Sequence, residues 1–314
     1  MGAVGQIAVL TAPLFLLVGA GYALARFGGW SGAVADALAR FVFSFAVPAL
    51  LFRMMSGFEK LAHVDARLLI AYFGGTLIVY AIALAAGRML FTLDAPGSAV
   101  FGMGSVFSNT VLLGVPLTQV TLGERAIPAI SLVIVFNALI LWTVISVSVE
   151  WARHREASFA GLAGTARDVL LNPIVGAILA GTAFGYTGLA LPGPLESALA
   201  MVAQAAVPLS LIALGMSLWE YGVREGWRIS LAIAAGKLAL LPLAVYGLAR
   251  LVGLPSLETQ AITVLAAMPV GANVYLMSKA YDRLGGPVSA SLVLSTALAA
   301  LSTPVVIALT GGIG

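Results

Sequence analysis

The stretch FVFSFAVPAL, residues 41–50, contains an Ala-Val-Pro tripeptide that returns in AQAAVPLSLI, residues 203–212. Pro48 and Pro208 within these stretches are 160 positions apart. Other pairs that align at the same offset are Pro13 with Pro173, Gly21 with Gly181, and Ser131 with Ser291. One ungapped register over so much of the chain indicates an internal repeat of two halves.

The composition is that of an integral membrane protein. Of the 314 residues, 61% are hydrophobic and 9% are charged, and the mean hydropathy is +1.06. Apolar runs of about 20 residues, the length that crosses roughly 30 Å of hydrocarbon as a helix, recur along the chain. We predict an all-α fold with ten spans: residues 4–25, 34–55, 67–90, 97–121, 126–149, 169–187, 195–218, 229–250, 258–280 and 287–310.

The longest polar connection, residues 151–168, separates spans five and six. It divides the chain into a first five-helix repeat (1–150), a linker and a second five-helix repeat (169–314). Because each half has an odd number of spans, the second half is predicted to be inverted relative to the first, a plan that recurs in secondary transporters. Ten Lys and Arg residues lie on the linker side and five on the other, which places the linker in the cytoplasm and both termini outside.

Several function classes are disfavoured by the residues present. The net charge of +3 comes from cations scattered between spans, so no nucleic acid partner is expected. The chain has no Cys, its two histidines lie in loops, and it has no H-E-x-x-H or G-x-S-x-G motif. An enzyme is therefore not expected, whereas a channel or a membrane receptor for a small anionic ligand stays open as an alternative to a carrier.

Spans four and nine contain the polar and helix-breaking residues that point to a binding site. The candidates are Ser108, Asn109, Thr110, Gly114 and Pro116 in span four, and Pro269, Gly271 and Asn273 in span nine. The repeat offset aligns Asn109 of the first half with Pro269 of the second half, so the two interruptions occupy matching positions. Single breaks are tolerated in membrane helices, and Asn or Ser often joins helices by hydrogen bonds. Two matched breaks favour substrate binding on crossing half-helices.

Lys237 is the one cation deep within a predicted span, nine residues after Arg228, or about 13 Å along a helix. A cation at this depth costs roughly 2.5 to 3.5 kcal/mol, so it needs a partner or a function. It is a candidate for attracting an anion, for bonding carbonyls freed near Pro242, or for replacing a coupling ion. Asn137 and Tyr275 complete the candidate site residues, although helix-joining and packing roles are common for such side chains.

These motifs resemble the auxin efflux carrier family, which includes the plant PIN carriers and bacterial permeases for malonate and other organic acids. FVFSFAVPALLF resembles its F-V-x-x-F-A-V-P pattern, and Asn109-Thr110 followed by Gly114-Val115-Pro116-Leu117 resembles N-T-x-x-x-G-[IV]-P-L. Met268-Pro269-Val270-Gly271 and Lys279-Ala280-Tyr281 resemble its span-nine motif. Where plant members have Pro directly before the Asn, this chain has Ser108.

The resemblance implies a carrier of small carboxylates with a scaffold domain and a transport domain that contains the crossing of spans four and nine. It implies that Asn109 contacts the substrate and that the protein is a homodimer. The inverted repeat with its paired breaks suits a rocking or elevator-like carrier better than a fixed pore. The short linker suits a bacterial member in the inner (cell) membrane. No cofactor or metal is expected. Coupling to sodium, to protons or to no ion stays open, because hydroxyls such as Ser108 and Thr110 suit sodium while no Asp, Glu or His lies deep in a span.

Overall fold

The computed structural model describes residues 3–56, 65–154, 171, 173–221 and 226–311. In these ranges the chain is helical, and it has one isolated pair of bridged residues and no strand. The greater part of the predicted linker lies outside the described residues, as does Asn172. The twelve helices of the described ranges are α1 (Ala3–Phe27), α2 (Gly32–Ser56), α3 (Ala66–Phe91), α4 (Ala95–Val106), α5 (Thr110–Leu122), α6 (Ile127–His154), α7 (Pro173–Tyr186), α8 (Gly193–Tyr221), α9 (Trp227–Leu251), α10 (Ser256–Ala266), α11 (Asn273–Tyr281) and α12 (Gly285–Thr310).

Six of these helices are long and apolar enough to cross a membrane, which makes the chain a multi-pass membrane protein. They are α1, α2, α3, α8, α9 and α12. Predicted span four corresponds to the two helices α4 and α5, and predicted span nine corresponds to α10 and α11. Spans four and nine are therefore divided within their length, as the Pro, Gly and Asn content suggests.

Proline alters the winding of three of the helices. α2, α5 and α9 contain π-helical segments at Val42–Ala46, Thr110–Gly114 and Gly236–Leu240. Each segment ends two residues before a proline, at Pro48, Pro116 and Pro242. Proline has no N–H and crowds the carbonyl four residues earlier, and in each case that carbonyl lies inside the wider π turn. The wider turns thus let these helices continue through proline.

The most extensive helix contacts join α1 to α8 and α2 to α7. At the first contact, a Cβ on Gly21 would lie 2.9 Å from the Cα of Ile212. At the second, a Cβ on Gly181 would lie 2.9 Å from the Cα of Phe52. Glycine lets the backbones approach this closely, as at many membrane helix crossings. The two contacts are related by the offset of 160 positions, because Gly21 corresponds to Gly181 and Phe52 corresponds to Ile212.

Ser210 of α8 supports the altered winding of α5. Its hydroxyl donates to the carbonyl of Leu112 at 3.1 Å and also contacts the carbonyl of Val207 in its own helix at 2.8 Å. Leu112 lies four residues before Pro116, so it cannot receive the usual helical bond from that residue. The Ser210 hydroxyl therefore supplies a donor to a carbonyl beside the proline.

We expect Ser210→Ala to lower the free energy of unfolding by about 1 kcal/mol, because the buried Leu112 carbonyl loses this donor. Thermal unfolding in detergent measures the change. Ser217→Ala is the matched control, since the Ser217 hydroxyl bonds only within α8, to the carbonyl of Ala213. Equal effects of the two substitutions would show that the bond between helices contributes nothing.

Asp94 and Arg283 tie the start of α4 to the turn that follows α11. One Asp94 oxygen caps α4 by accepting from the Gly97 amide at 2.8 Å, and the other accepts from Arg283 Nε at 2.7 Å. Burial raises the pKa of Asp94, but the Arg283 and Gly97 hydrogen bonds outweigh it and hold the pKa below its usual value. The folded state therefore favours the ionised carboxylate of Asp94.

Asp94→Asn is expected to keep the cap but to lose the charge, with a small decrease in Tm at pH 7 because both side chains are partly exposed. Since the folded pKa is depressed, the stabilisation is present above about pH 4 and is lost as the pH falls through the folded pKa. Melting curves from pH 7 to pH 3 should show wild type and variant converging. A difference that persists at pH 3 would contradict this role of the charge.

Candidate functional site

The two interruptions lie side by side and are joined through their backbones. Asn109 N donates to the carbonyl of Pro269 at 2.8 Å, and Gly271 N donates to the carbonyl of Phe107 at 2.8 Å. Ser108 and Val270 form the antiparallel bridge between these bonds. These contacts satisfy backbone groups that the helix ends leave without intrahelical partners. They fix the position of one break relative to the other.

Two helices begin at this junction. α5 starts at Thr110 and α11 starts at Asn273, immediately after the two unwound segments. The first N–H groups of a helix lack intrahelical acceptors, and the helix dipole adds partial positive charge at the same end. Two such ends beside one another favour the binding of an anion.

A cavity of about 450 Å³ opens beside the junction. This volume lies within the range of about 300 to 1,000 Å³ that is usual for small-molecule sites. Its wall is formed by the two breaks and by parts of α2, α6 and α7: Arg40, Phe43, Ser44, Phe107, Ser108, Asn109, Thr110, Val111, Leu112, Ile134, Asn137, Pro173, Ile174, Val175, Gly271, Ala272 and Asn273. Among these lining residues Arg40 is the one charged side chain, and none is acidic.

Six of the candidate residues from the sequence line this cavity: Ser108, Asn109, Thr110, Asn137, Gly271 and Asn273. The other five, Gly114, Pro116, Lys237, Pro269 and Tyr275, are not among the lining residues. Gly114 faces α10, where a Cβ would lie 2.8 Å from Leu265 Cδ2. Pro269 contributes the carbonyl that holds Asn109. Tyr275 is partly buried and packs against the apolar core.

Three lining side chains hold buried polar atoms that lack a hydrogen-bond partner among the described residues. They are Ser108 Oγ, Asn109 Nδ2 and Asn137 Oδ1. The Tyr72 hydroxyl lies near Ser108, but the two do not form a hydrogen bond of good geometry. Buried polar groups are nearly always bonded, so these atoms indicate a ligand or bound water. Ser108 and Asn109 offer donors to an anion, and the Asn137 oxygen offers an acceptor.

Lys237 is not among the lining residues of the cavity and contacts the end of α10 instead. It is completely buried in the π-helical segment of α9, and its Nζ donates to the carbonyl of Ala266 at 2.5 Å. Ala266 is the last residue of α10, where the helix dipole is negative and carbonyls lack helical partners. Of the three roles weighed from the sequence, this contact fits the bonding of a freed carbonyl, although the carbonyl is that of Ala266 at the second break and not one near Pro242.

Sequence reasoning missed Arg40 and Ser44 as parts of the site. Arg40 was counted among the cations that set membrane orientation, because it lies near the start of predicted span two, residues 34–55. The spacing of four residues between Arg40 and Ser44 places both on one helix face, and the Ser44 hydroxyl donates to the Arg40 carbonyl at 2.6 Å. This spacing, directly before the Ala-Val-Pro motif, is the signal in the sequence that could have indicated a wall of the cavity.

A second cavity, of about 610 Å³, lies at the other end of α2. Its lining contains charges of both signs, including Glu124 and Arg125 and the ion pair between Arg53 Nε and Glu196 Oε1 at 2.7 Å. Because opposite charges are already present there, this cavity is less suited to a free anion than the cavity beside the breaks.

A fold of membrane-spanning helices around paired breaks is typical of transport proteins. The profile of the family described as membrane transport protein matches residues 7–307. The chain belongs to this family, which is the auxin efflux carrier family that its motifs resemble. Over 300 residues it is 28% identical to a protein of Rhizobium meliloti (strain 1021) named "Putative malonate transporter", with 93% of this chain and 92% of that relative covered. The family and this name indicate a transporter rather than an enzyme.

Proposed function

We propose that the protein is a secondary transporter that moves small carboxylates across the membrane by alternating access. The observation that carries this proposal is the buried Asn109 amide nitrogen, which lacks a partner at a cavity where two helices begin. A carboxylate supplies the acceptor that this donor needs and the negative charge that the helix ends favour. The absence of acidic residues from the cavity lining supports an anionic substrate.

The substrate carboxylate would bind beside the crossing of the divided spans. Ser108 and Asn109 would donate hydrogen bonds from one break, and Asn273 would face it from the other. Thr110 and the Gly271 segment would shape the wall, and Asn137 of α6 would offer its oxygen to a substrate hydroxyl, a water or a cation. Sodium or proton coupling is thus left open.

The proposed architecture is a 5+5 inverted repeat, with residues 1–150 and 169–314 as its halves. Asn109 and Pro269, which are joined at the junction, are themselves 160 positions apart. Repeat-related residues meet in this way when a pseudo-two-fold axis passes between them. The paired contacts of Gly21 with Ile212 and of Gly181 with Phe52 support the same symmetry.

Transport would follow an elevator-like movement. α1, α2, α7 and α8 would form the scaffold, because they make the most extensive contacts with one another. The divided helices with α3 and α9 would carry the substrate past this scaffold. By the charge distribution, both termini would lie outside. By the resemblance to bacterial family members, the protein would lie in a bacterial inner membrane and act as a homodimer.

A counterflow experiment separates this carrier from the alternative of a channel or receptor. Proteoliposomes preloaded with unlabelled malonate should take up external radiolabelled malonate faster than empty ones. With malonate inside, the binding site returns to the outside with substrate bound and does not have to return empty. The uptake should saturate with concentration. Uptake that neither saturates nor accelerates on preloading would favour a channel, and binding without uptake would favour a receptor.

A further inference from the structure

Arg40 occupies an unusual electrostatic position in the cavity wall. It lies at the turn of α2 that precedes the π-helical segment, and its side chain is exposed to the cavity rather than buried in packing. The three ion pairs of the described residues join Arg53 to Glu196, Arg67 to Asp65, and Arg283 to Asp94. Arg40 belongs to none of them.

The nearest acid along α2 does not neutralise this cation. Asp36 lies one turn before Arg40, at a spacing that allows helical pairs, but the two form no ion pair within the described chain. Of the residues that the structure describes, no Asp or Glu lines the cavity. Within these ranges no acid pairs with the guanidinium, whose five donors can therefore meet a ligand.

The cavity thus has two places for negative charge. One is the junction, where Asn109 and the starts of α5 and α11 offer neutral donors and partial positive charge. The other is the full positive charge of Arg40, on the wall that α2 contributes. A monocarboxylate carries negative charge for one of these places, whereas a dicarboxylate carries a charge for each.

We propose that Arg40 is the specificity-determining residue of the cavity and selects dicarboxylates by binding the second carboxylate. Its planar guanidinium matches a carboxylate through two parallel hydrogen bonds, which a lysine cannot reproduce. This inference rests on the proposed function, because it assigns the first carboxylate to the junction. Ser44, one turn further along α2, holds the Arg40 carbonyl and lines the same wall.

The test compares uptake of malonate and propionate, two three-carbon acids of which only malonate has a second carboxylate. Arg40→Gln in proteoliposomes should raise the KM for malonate about tenfold or more, since a charge-assisted bidentate contact is lost. The KM for propionate should change less than twofold. Arg40→Lys should give an intermediate KM for malonate, because the positive charge remains but the two parallel hydrogen bonds of the planar guanidinium are lost.

Arg88→Gln is the matched control, since Arg88 is an exposed cation in the last turn of α3 and does not line the cavity. Equal changes for both acids, or no change for either, would overturn the role of Arg40. If wild type transports neither acid, the proposed function fails and this inference fails with it. Should Arg40→Gln not yield folded protein, Ser44→Asp places a carboxylate beside Arg40 and is expected to impair malonate uptake selectively, and an unchanged preference would overturn the proposal.

Discussion

Asn109→Ala is expected to lower kcat/KM for carboxylate uptake by about tenfold to a hundredfold while leaving the fold intact. The buried Asn109 amide nitrogen has no hydrogen-bond partner in the described part of the chain, so its removal breaks no side-chain bond seen there. A hydrogen bond to a charged group contributes about 1.5 to 3 kcal/mol, which corresponds to that loss of activity. The backbone bond from Asn109 to Pro269 does not involve the side chain and should persist.

Gln204→Ala is the matched control for this prediction. Gln204 is another amide within a predicted span, but it is exposed on α8 and does not line the cavity. We expect it to change uptake less than twofold. Initial rates over a range of malonate concentrations measure both variants, with Tm as the test of folding. Unchanged kinetics of Asn109→Ala at equal Tm would remove Asn109 from the site.

Lys237→Ala is expected to lower the free energy of unfolding by about 2 kcal/mol. The substitution leaves the buried carbonyl of Ala266 without its donor and opens a cavity where the lysine stem packs. Relief from burying the ammonium offsets part of this loss. Thermal unfolding in detergent measures the change. Arg228→Gln, at the exposed start of the same helix α9, should have little effect.

Lys237→Met separates the structural role from a role in attracting substrate. Methionine keeps most of the stem volume and removes the donor, so we expect a smaller loss of stability and an unchanged KM for malonate in the folded fraction. A tenfold rise in KM at unchanged Tm would instead show that Lys237 acts on the anion.

The interruptions of spans four and nine could be predicted because proline, glycine and asparagine within apolar runs leave a clear signal in the sequence. The repeat offset also pointed to Asn109 and Pro269 as corresponding residues, and these two are hydrogen bonded in the structure. Sequence periodicity gives the order of helices and the position of breaks along each one. It does not give the face that each residue presents to its neighbours.

Two site assignments could not be made from the sequence, because the sequence does not show which neighbours each side chain faces. The sequence predicts Lys237 deep within a span, but depth does not show that its ammonium contacts the end of α10 rather than the cavity. Arg40 was treated as one of many loop cations, because a rule that counts charges ignores what each charge faces. The donor that Ser210 supplies to the Leu112 carbonyl, in the π-helical segment before Pro116, comes from another helix that only the packed fold brings close.

Protection of a single cysteine tests most directly whether carboxylates bind beside the two breaks. The chain has no Cys, so one introduced thiol reports one position. Ala272→Cys places it in the cavity lining, and Ala190→Cys places it in the second cavity as a matched control. Malonate should slow alkylation by a maleimide at residue 272 in a saturable way and leave residue 190 unaffected. Equal alkylation of Ala272→Cys with and without saturating malonate would contradict the binding of carboxylates beside the two breaks.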